Sequence, residues 1–353
     1  MNTALNTQPP ETARPGSFDP VAVWLLVICA MVFAMIVLGG VTRLTESGLS
    51  MVDWRPVTGW LPPIGEAEWH RAFDAYRQSP EYHHINAGMG LDGFKEIFWL
   101  EYLHRLFGRV IGIVFLVPFV WFLCTGRIKG ALRDKCLILF VLGGLQGVLG
   151  WYMVKSGLID EPSVSQYRLA AHLSMALIIY LFGLWVALGI LQPRAAVVPP
   201  AQAGISTLVT VLLAVICVTV FSGALVAGLD AGLLYNTFPL MDGHVFPADA
   251  FELRPVFLNF FEDRGTVQFN HRVLAMTTAC LVLLFWAWAV RSTAPAGLKQ
   301  AAGLMALAVA VQAGLGIATL LMAVPVALGA LHQAGAVVLL TATLWCLHQA
   351  RRR

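Results

Sequence analysis

Charged side chains are scarce in this chain of 353 residues. Asp, Glu, Lys and Arg together make up 12% of the sequence, whereas they make up about 25% of an ordinary soluble domain. The formal net charge is only +3, which argues against a strongly basic surface for nucleic acid. Hydrophobic residues instead reach 58% of the sequence. This balance indicates a polytopic membrane protein.

Cysteine is also scarce, and none lies in the long polar segments. A disulfide framework or a thiolate metal site needs cysteines grouped in loops or at short spacings. We therefore expect neither, and we interpret the cysteines as small packing residues of helices. All six fall within or at the ends of apolar runs: Cys29, Cys124, Cys136, Cys217, Cys280 and Cys346.

The sequence contains eight long apolar runs. Each is long enough to cross a hydrocarbon core of about 30 Å as a helix, and all are too long and unbroken for barrel strands. The predicted fold class is therefore an all-α membrane protein with eight transmembrane helices. The first run has no small-residue cleavage pattern, so we expect a retained helix and not a signal peptide. The runs lie near 21–41, 98–123, 132–154, 168–191, 204–227, 268–290, 298–322 and 326–348.

Basic residues gather on one side of the predicted membrane. By the positive-inside rule this side is cytoplasmic, so both termini are expected inside the cell. The polar tail, residues 1–20, lacks the Arg-rich, acid-poor character of an organelle transit peptide, which favours a bacterial inner membrane. The basic residues are Arg127, Lys129, Arg133, Lys135, Arg194, Arg291, Lys299, Arg351, Arg352 and Arg353.

The second half of the chain repeats landmarks of the first in the same order. Such a repeat at nearly constant offset predicts two copies of one structural unit. Each copy holds four spans, so the repeat is parallel, unlike the inverted repeats of many transporters. We define a first unit, 21–191, and a second unit, 204–353, joined by a cytoplasmic linker, 192–203. The paired landmarks are His104-Arg105 with His271-Arg272, Gln146 to Gly150 with Gln312 to Gly316, His172 with His332, and Gly40 with Gly223.

Four histidines are predicted to lie at one depth near the outer face, each within the first two turns of an even-numbered helix. Neutral imidazole binds several metals, but a closed zinc or copper site usually brings carboxylates or thiols as well. Two histidines on separate helices of a four-helix unit are typical of haem iron, and packing histidines are the alternative. Arg105 and Arg272 could bind haem propionates or extend to lipid headgroups. The four are His104, His172, His271 and His332.

The two units differ at one position. Glu101 lies three residues before His104, so both project from one helix face, whereas Gln268 occupies that position before His271. A carboxylate can act as a base or stabilise positive charge, and an amide cannot. This predicts chemistry in the first unit and a permanent cofactor in the second. The alternative is an ion pair of Glu101 with Arg105 or Lys95.

Four long motifs resemble the haem A synthase family, in the branch of alpha-proteobacteria and mitochondria. They are GGVTRLTESGLSM at 39–51, GFKEIFWLEYLHR at 93–105, QGVLGWYMVKSG at 146–157 and YNTFPLM at 235–241. The resemblance implies that the substrate is haem O and that its C8 methyl is oxidised to a formyl group, giving haem A for cytochrome oxidase. It further implies a resident haem b on His271 and His332, a substrate haem between His104 and His172, and Glu101 as the catalytic carboxylate.

The resemblance also implies partners and contains one departure. The electrons must pass to an unidentified acceptor, and contact with the farnesyltransferase that makes haem O is expected. Some bacterial members carry a cysteine pair in the first outer loop, whereas residues 43–97 here contain none. A two-haem b-type electron-transfer cytochrome and a transporter remain the alternative functions.

The first outer loop is predicted to contain a short amphipathic helix. In the stretch 68–77, Trp69, Phe73 and Tyr76 recur at the spacing of one helix face. The segment would form either a lid or a packed cap. A metal site on the loop histidines His70, His83, His84 and His244 stays open, and His348 is expected at the cytoplasmic membrane interface.

Overall fold

The computed structural model describes residues 19–53, 59–158, 165–192, 200–247 and 250–351, with side chains from 203 onwards in the fourth range. The predicted polar tail lies outside these ranges except for its last two residues. Most of the predicted linker also lies outside them.

The described residues form ten α-helices and two short 3-10 helices. Eight of the α-helices are long and apolar enough to span a membrane, which confirms the predicted all-α fold. The α-helices are α1 Pro20–Leu44, α2 Glu66–Tyr76, α3 Pro80–His84, α4 Leu91–Cys124, α5 Gly130–Gly157, α6 Gln166–Leu191, α7 Pro200–Gly228, α8 Arg264–Arg291, α9 Ala296–Leu321 and α10 Val326–Ala350. The 3-10 helices are Ala231–Leu233 and Val256–Phe260.

Local sequence signals set where several helices begin. Asp19 caps α1 by accepting a hydrogen bond from the Val21 amide at 2.7 Å, and Pro20 occupies the first helical position. Asp263 caps α8 by accepting a hydrogen bond from the Thr266 amide, also at 2.7 Å. These caps satisfy amide groups that the first turn of a helix leaves without partners.

The eight long helices pack as two rings of four. In the first ring α1 contacts α4 and α6, and α5 contacts α4 and α6; in the second, α7, α8, α9 and α10 contact one another in the corresponding order. The rings meet where α1 and α6 face α7 and α10. One apolar core runs through both rings, so burial of apolar surface and close packing hold the two units together.

Polar contacts also join the two units. The Tyr180 hydroxyl lies 2.8 Å from the Thr341 hydroxyl, and the Gln333 amide donates to the Ile36 carbonyl at 2.9 Å. Near the outer ends of the helices, Arg43 pairs with Asp230 at 2.9 Å. These bonds fix α1 and α6 against the second unit, which positions both candidate sites relative to each other.

The first outer loop forms a packed cap on an outward extension of α4. As predicted, α2 covers the stretch with the amphipathic pattern, and its Phe73 and Tyr76 are buried against Phe94 and Phe98. This aromatic cluster gives α4 a packing surface beyond the apolar run, so α4 begins at Leu91. The prediction that His104 lies in the first two turns of its helix is therefore wrong.

Candidate functional site

Each of the four candidate histidines packs one ring edge against a glycine of a neighbouring helix. A methyl group at any of these glycines would approach the histidine Cε1 to 3.1 Å or less, so a side chain there would force the ring or the helix to shift. The pairs are His104 with Gly39, His172 with Gly150, His271 with Gly223, and His332 with Gly316. The repeat partner of Gly223 is therefore Gly39, and the pairing with Gly40 was wrong; Gly40 instead accommodates the side chain of Gln333.

The histidines of one unit lie on two different helices of its ring. All four rings are half-buried. The second pair comes from α8 and α10, and the first pair comes from α4 and α6. Each predicted pair therefore lies within one ring of helices, and its role as a pair of haem ligands stays a prediction.

A glutamine supports the second histidine of each unit. The Gln146 Nε2 group donates to the His172 carbonyl at 3.1 Å and lies 3.4 Å from the His172 ring nitrogen Nε2. The Gln312 Nε2 group donates to the His332 carbonyl at 2.9 Å and lies 3.1 Å from Nδ1 of that ring. Both glutamines were visible in the sequence as landmarks of the repeat, but their contact with histidine required the structure.

The first histidines of the two units have different neighbours. Nδ1 of His271 lies 2.8 Å from the Ser222 hydroxyl. Nδ1 of His104 is buried and has no hydrogen-bond partner, and the same holds for Nδ1 of His172. Sequence reasoning missed Ser222, although its position directly before Gly223 could have shown it.

Glu101 is a buried carboxylate with three hydrogen-bond donors around it. It is 3% exposed. The Ser50 hydroxyl and the Met51 amide each donate to its Oε2 atom at 2.7 Å, and the Arg105 guanidinium pairs with its Oε1 atom. The ion pair with Arg105 that the sequence left as an alternative is therefore present. Lys95 pairs with Asp92 at 3.7 Å.

Gln268 occupies the equivalent place in the second unit, but its surroundings have the opposite polarity. Its amide Nε2 donates to the carbonyls of Ala231 at 2.8 Å and Tyr235 at 3.2 Å. Arg272 donates to the side-chain oxygen Oε1 of Gln268 at 3.2 Å and to the main-chain carbonyl of Tyr235 at 2.8 Å. The outer loop of the first unit thus presents donors to a carboxylate, and that of the second presents carbonyls to an amide.

Both arginines that follow the histidines are buried against outer loops. Arg272 is 8% exposed, and the Arg105 side chain is 7% exposed. Arg105 donates to the main-chain carbonyl of Met51 at 3.0 Å. Extension of these side chains to lipid headgroups is therefore wrong, because their guanidinium groups are directed into the protein. Contact with haem propionates stays a prediction.

A second buried carboxyl lies above Glu101, outside the membrane-spanning helices. Glu81, at the start of α3, is 2% exposed, and its Oε2 atom has no hydrogen-bond partner. Burial, reinforced by the negative charges of Glu101 and Glu46, raises the pKa of Glu81 from 4.5 to about 8. No sequence pattern indicated this residue.

The remaining histidines give no metal centre in the described part of the chain. No group of three or more His, Cys, Asp or Glu side chains suitable for a metal ion occurs there, so His70, His83, His84 and His244 do not assemble such a site. His348 is fully buried and lies against Trp185, with ring centroids 5.8 Å apart. It lies in the last turn of α10, and its expected place at the membrane interface stays a prediction.

Comparison with known proteins gives a consistent result over nearly the whole sequence. Residues 22–344 match the family model COX15-CtaA, described as cytochrome oxidase assembly protein. A protein named Heme A synthase from Nitrosospira multiformis is 50% identical over 350 residues, which cover 99% of this chain and 98% of that relative.

Two further relatives carry the same name. The protein from Nitrosomonas eutropha is 50% identical and covers 92% of each chain. The protein from Parvibaculum lavamentivorans is 49% identical, covering 93% of this chain and 94% of its own. The match of the family model and the extent of these alignments establish that the chain belongs to the COX15-CtaA family of cytochrome oxidase assembly proteins.

Proposed function

We propose that this chain is a haem A synthase, an oxidoreductase that converts the C8 methyl group of haem O to the formyl group of haem A. One observation carries the proposal. The two histidine sites share one architecture, yet a buried carboxylate, Glu101, stands beside the first and an amide, Gln268, beside the second. An electron carrier with two equivalent haems has no need for that difference. The relatives named Heme A synthase support the same reaction.

The oxidation of a methyl group to a formyl group removes four electrons. Two successive hydroxylations give a hydrated aldehyde, which loses water to leave the formyl group. Written with water as the oxygen donor, each hydroxylation consumes one water and releases two electrons and two protons. The substrate site must therefore provide a place for protons, and an acceptor outside this chain must take the electrons.

The first unit is proposed to bind haem O between His104 and His172. Imidazole nitrogen is a suitable ligand for haem iron, and the two side chains come from α4 and α6 of one ring of helices. Glu101 projects from the same helix face as His104. As a carboxylate it can stabilise positive charge that develops at the substrate methyl or accept a proton from it.

The second unit is proposed to hold a resident haem b on His271 and His332. His271 on α8 and His332 on α10 lie in one ring of helices, and the Ser222 contact leaves Nε2 of His271 to bind iron. When bound, haem b supplies one-electron chemistry between the substrate site and the acceptor. Arg105 and Arg272 are the candidates for contact with the propionates.

The proposed setting is a bacterial inner membrane with both termini in the cytoplasm. The eight long apolar helices support a multi-pass membrane protein, and the distribution of basic residues supports this orientation. The two histidine sites then lie towards the outer face. The haem O synthase that supplies the substrate is the proposed partner.

Pigment analysis tests the proposal. Membranes of a host that makes haem O but not haem A are prepared with and without this chain, and the extracted haems are separated and identified by mass. We expect haem A only when the chain is present. If only haem B and haem O are found while the purified protein shows a b-type spectrum, the alternative of a two-haem electron-transfer cytochrome replaces the proposal.

A further inference from the structure

The hydroxyl group of Ser222 contacts two groups at once. Its oxygen lies 2.8 Å from the main-chain carbonyl of Thr219, one turn earlier in α7, and 2.8 Å from Nδ1 of His271 in α8. A serine hydroxyl has one proton to donate and two lone pairs that accept. A carbonyl only accepts, so the proton of Ser222 points to Thr219. Towards His271 the hydroxyl is therefore the acceptor.

This direction fixes the tautomer of His271. Nδ1 must carry the proton that the ring donates to Ser222, and the lone pair of the neutral imidazole then lies on Nε2. A metal-binding histidine needs this arrangement, and a partner of its other nitrogen orients the ring and raises its basicity. Gly223 holds the same ring in place, because its Cα faces Cε1 of His271 with no side chain between.

The first unit lacks this hydroxyl. Gly39 packs on His104 as Gly223 packs on His271, and the residue before Gly39 is Leu38, where Ser222 precedes Gly223. Leucine can neither donate nor accept. Consistent with that, Nδ1 of His104 is buried with no hydrogen-bond partner. No hydrogen bond at Nδ1 therefore fixes the tautomer of His104, and its contact with Gly39 restricts only the rotation of the ring.

We propose that Ser222 is a positioning residue that makes His271 a permanent haem ligand, and that Leu38 at the equivalent position leaves His104 an exchangeable one. The inference rests on the proposed function, which requires the first unit to accept haem O and release haem A while the second unit keeps its haem. The residue directly before the matched glycine, Ser222 in the second unit and Leu38 in the first, thereby distinguishes the cofactor site from the substrate site.

The test is the rate at which purified protein loses haem b to an excess of apomyoglobin. Loss of a hydrogen-bond partner of a metal-bound histidine weakens metal binding about 10- to 100-fold. We expect Ser222→Ala to speed haem loss by about that factor and to raise the reduction potential of the haem, because a less basic imidazole stabilises ferric iron less. Ser222→Thr keeps the hydroxyl and should restore both values.

Thr207 offers a matched control on the same helix. Its hydroxyl donates to the Ala203 carbonyl at 3.0 Å and is exposed, so Thr207→Ala removes a hydroxyl that touches no histidine. Both the rate of haem loss and the potential should stay at the values of the unmodified protein. If Ser222→Ala also leaves both values unchanged, the inference is overturned.

The reciprocal substitution tests the first unit and covers the case in which Ser222→Ala does not fold. Leu38→Ser should slow the release of haem from the first unit, since it supplies the missing acceptor, and unchanged release would count against the inference. Haem A production plays no part in either readout. If the chain makes no haem A but Ser222→Ala still speeds the loss of haem b, the proposed function is removed, and of this inference only the role of Ser222 at His271 stands.

Discussion

Replacing Glu101 with glutamine places an amide where every neighbour is a hydrogen-bond donor. The Oε2 atom accepts from the Ser50 hydroxyl and the Met51 amide, and the Oε1 atom accepts from Arg105. A glutamine has one carbonyl oxygen and one NH2 group. In either orientation the NH2 group faces a donor. The substitution therefore removes the charge and also breaks at least one of the hydrogen bonds from Ser50, Met51 and Arg105.

The structure gives the size of this effect. One buried donor left without a partner costs about 1–3 kcal/mol, and removing one member of a buried ion pair costs about 3–5 kcal/mol. The local penalty for Glu101→Gln is therefore several kcal/mol. This penalty falls on the segment from Ser50 to Asp53, because Arg105 also donates hydrogen bonds to the main-chain carbonyls of Met51 and Asp53.

We expect Glu101→Gln to abolish haem A formation while the b-type spectrum of the second unit persists, and to increase hydrogen exchange in that segment. The assay is the haem A content of membranes per amount of chain, with exchange followed by mass spectrometry. Ser50→Ala is the matched control, because it removes one hydrogen bond, worth about 1 kcal/mol, and keeps the carboxylate. Normal haem A formation by Glu101→Gln would refute the catalytic role, and an equal loss in Ser50→Ala would assign the effect to the loop.

Three further predictions concern other parts of the molecule. Gly316→Ala brings a methyl group to 2.7 Å from Cε1 of His332 and should lower the haem b content and the unfolding temperature, whereas Gly112→Ala, with nothing within 4 Å, should lower neither. His271→Ala should remove the reduced b-type band, and an unchanged band would exclude this residue as a ligand. The cap should lose stability as pH rises, because folded Glu81 keeps its proton up to about pH 8 and the unfolded chain releases it near 4.5. Glu81→Gln should abolish this fall of the unfolding temperature with pH, and a fall that persists would assign it to another group.

The sequence predicted those features that depend on composition and period. The eight spans follow from apolar length, the two rings of helices agree with the internal repeat, and the amphipathic face of α2 follows from Trp69, Phe73 and Tyr76. Hydrophobic length and helical period are local properties of a chain, so one sequence is enough to recognise them.

The incorrect predictions concern features that depend on tertiary packing. The outward extension of α4 depends on aromatic side chains of α2 and α3 that cover Phe94 and Phe98, and no period along α4 encodes that cover. The arginines after the histidines were assigned to lipid or propionates because their loop carbonyls lie far away in sequence. Glu81 gave no signal for the same reason, since its burial is created by other segments.

The most direct test of the proposed reaction uses membranes that contain this chain. Isotopically labelled haem O is added to them, and the label is followed by mass analysis of the extracted haems. We expect the label to appear in haem A and the haem b of the second unit to stay unlabelled, because only the first unit exchanges its haem. Label that remains in haem O, although the membranes contain an electron acceptor, would contradict the proposed reaction.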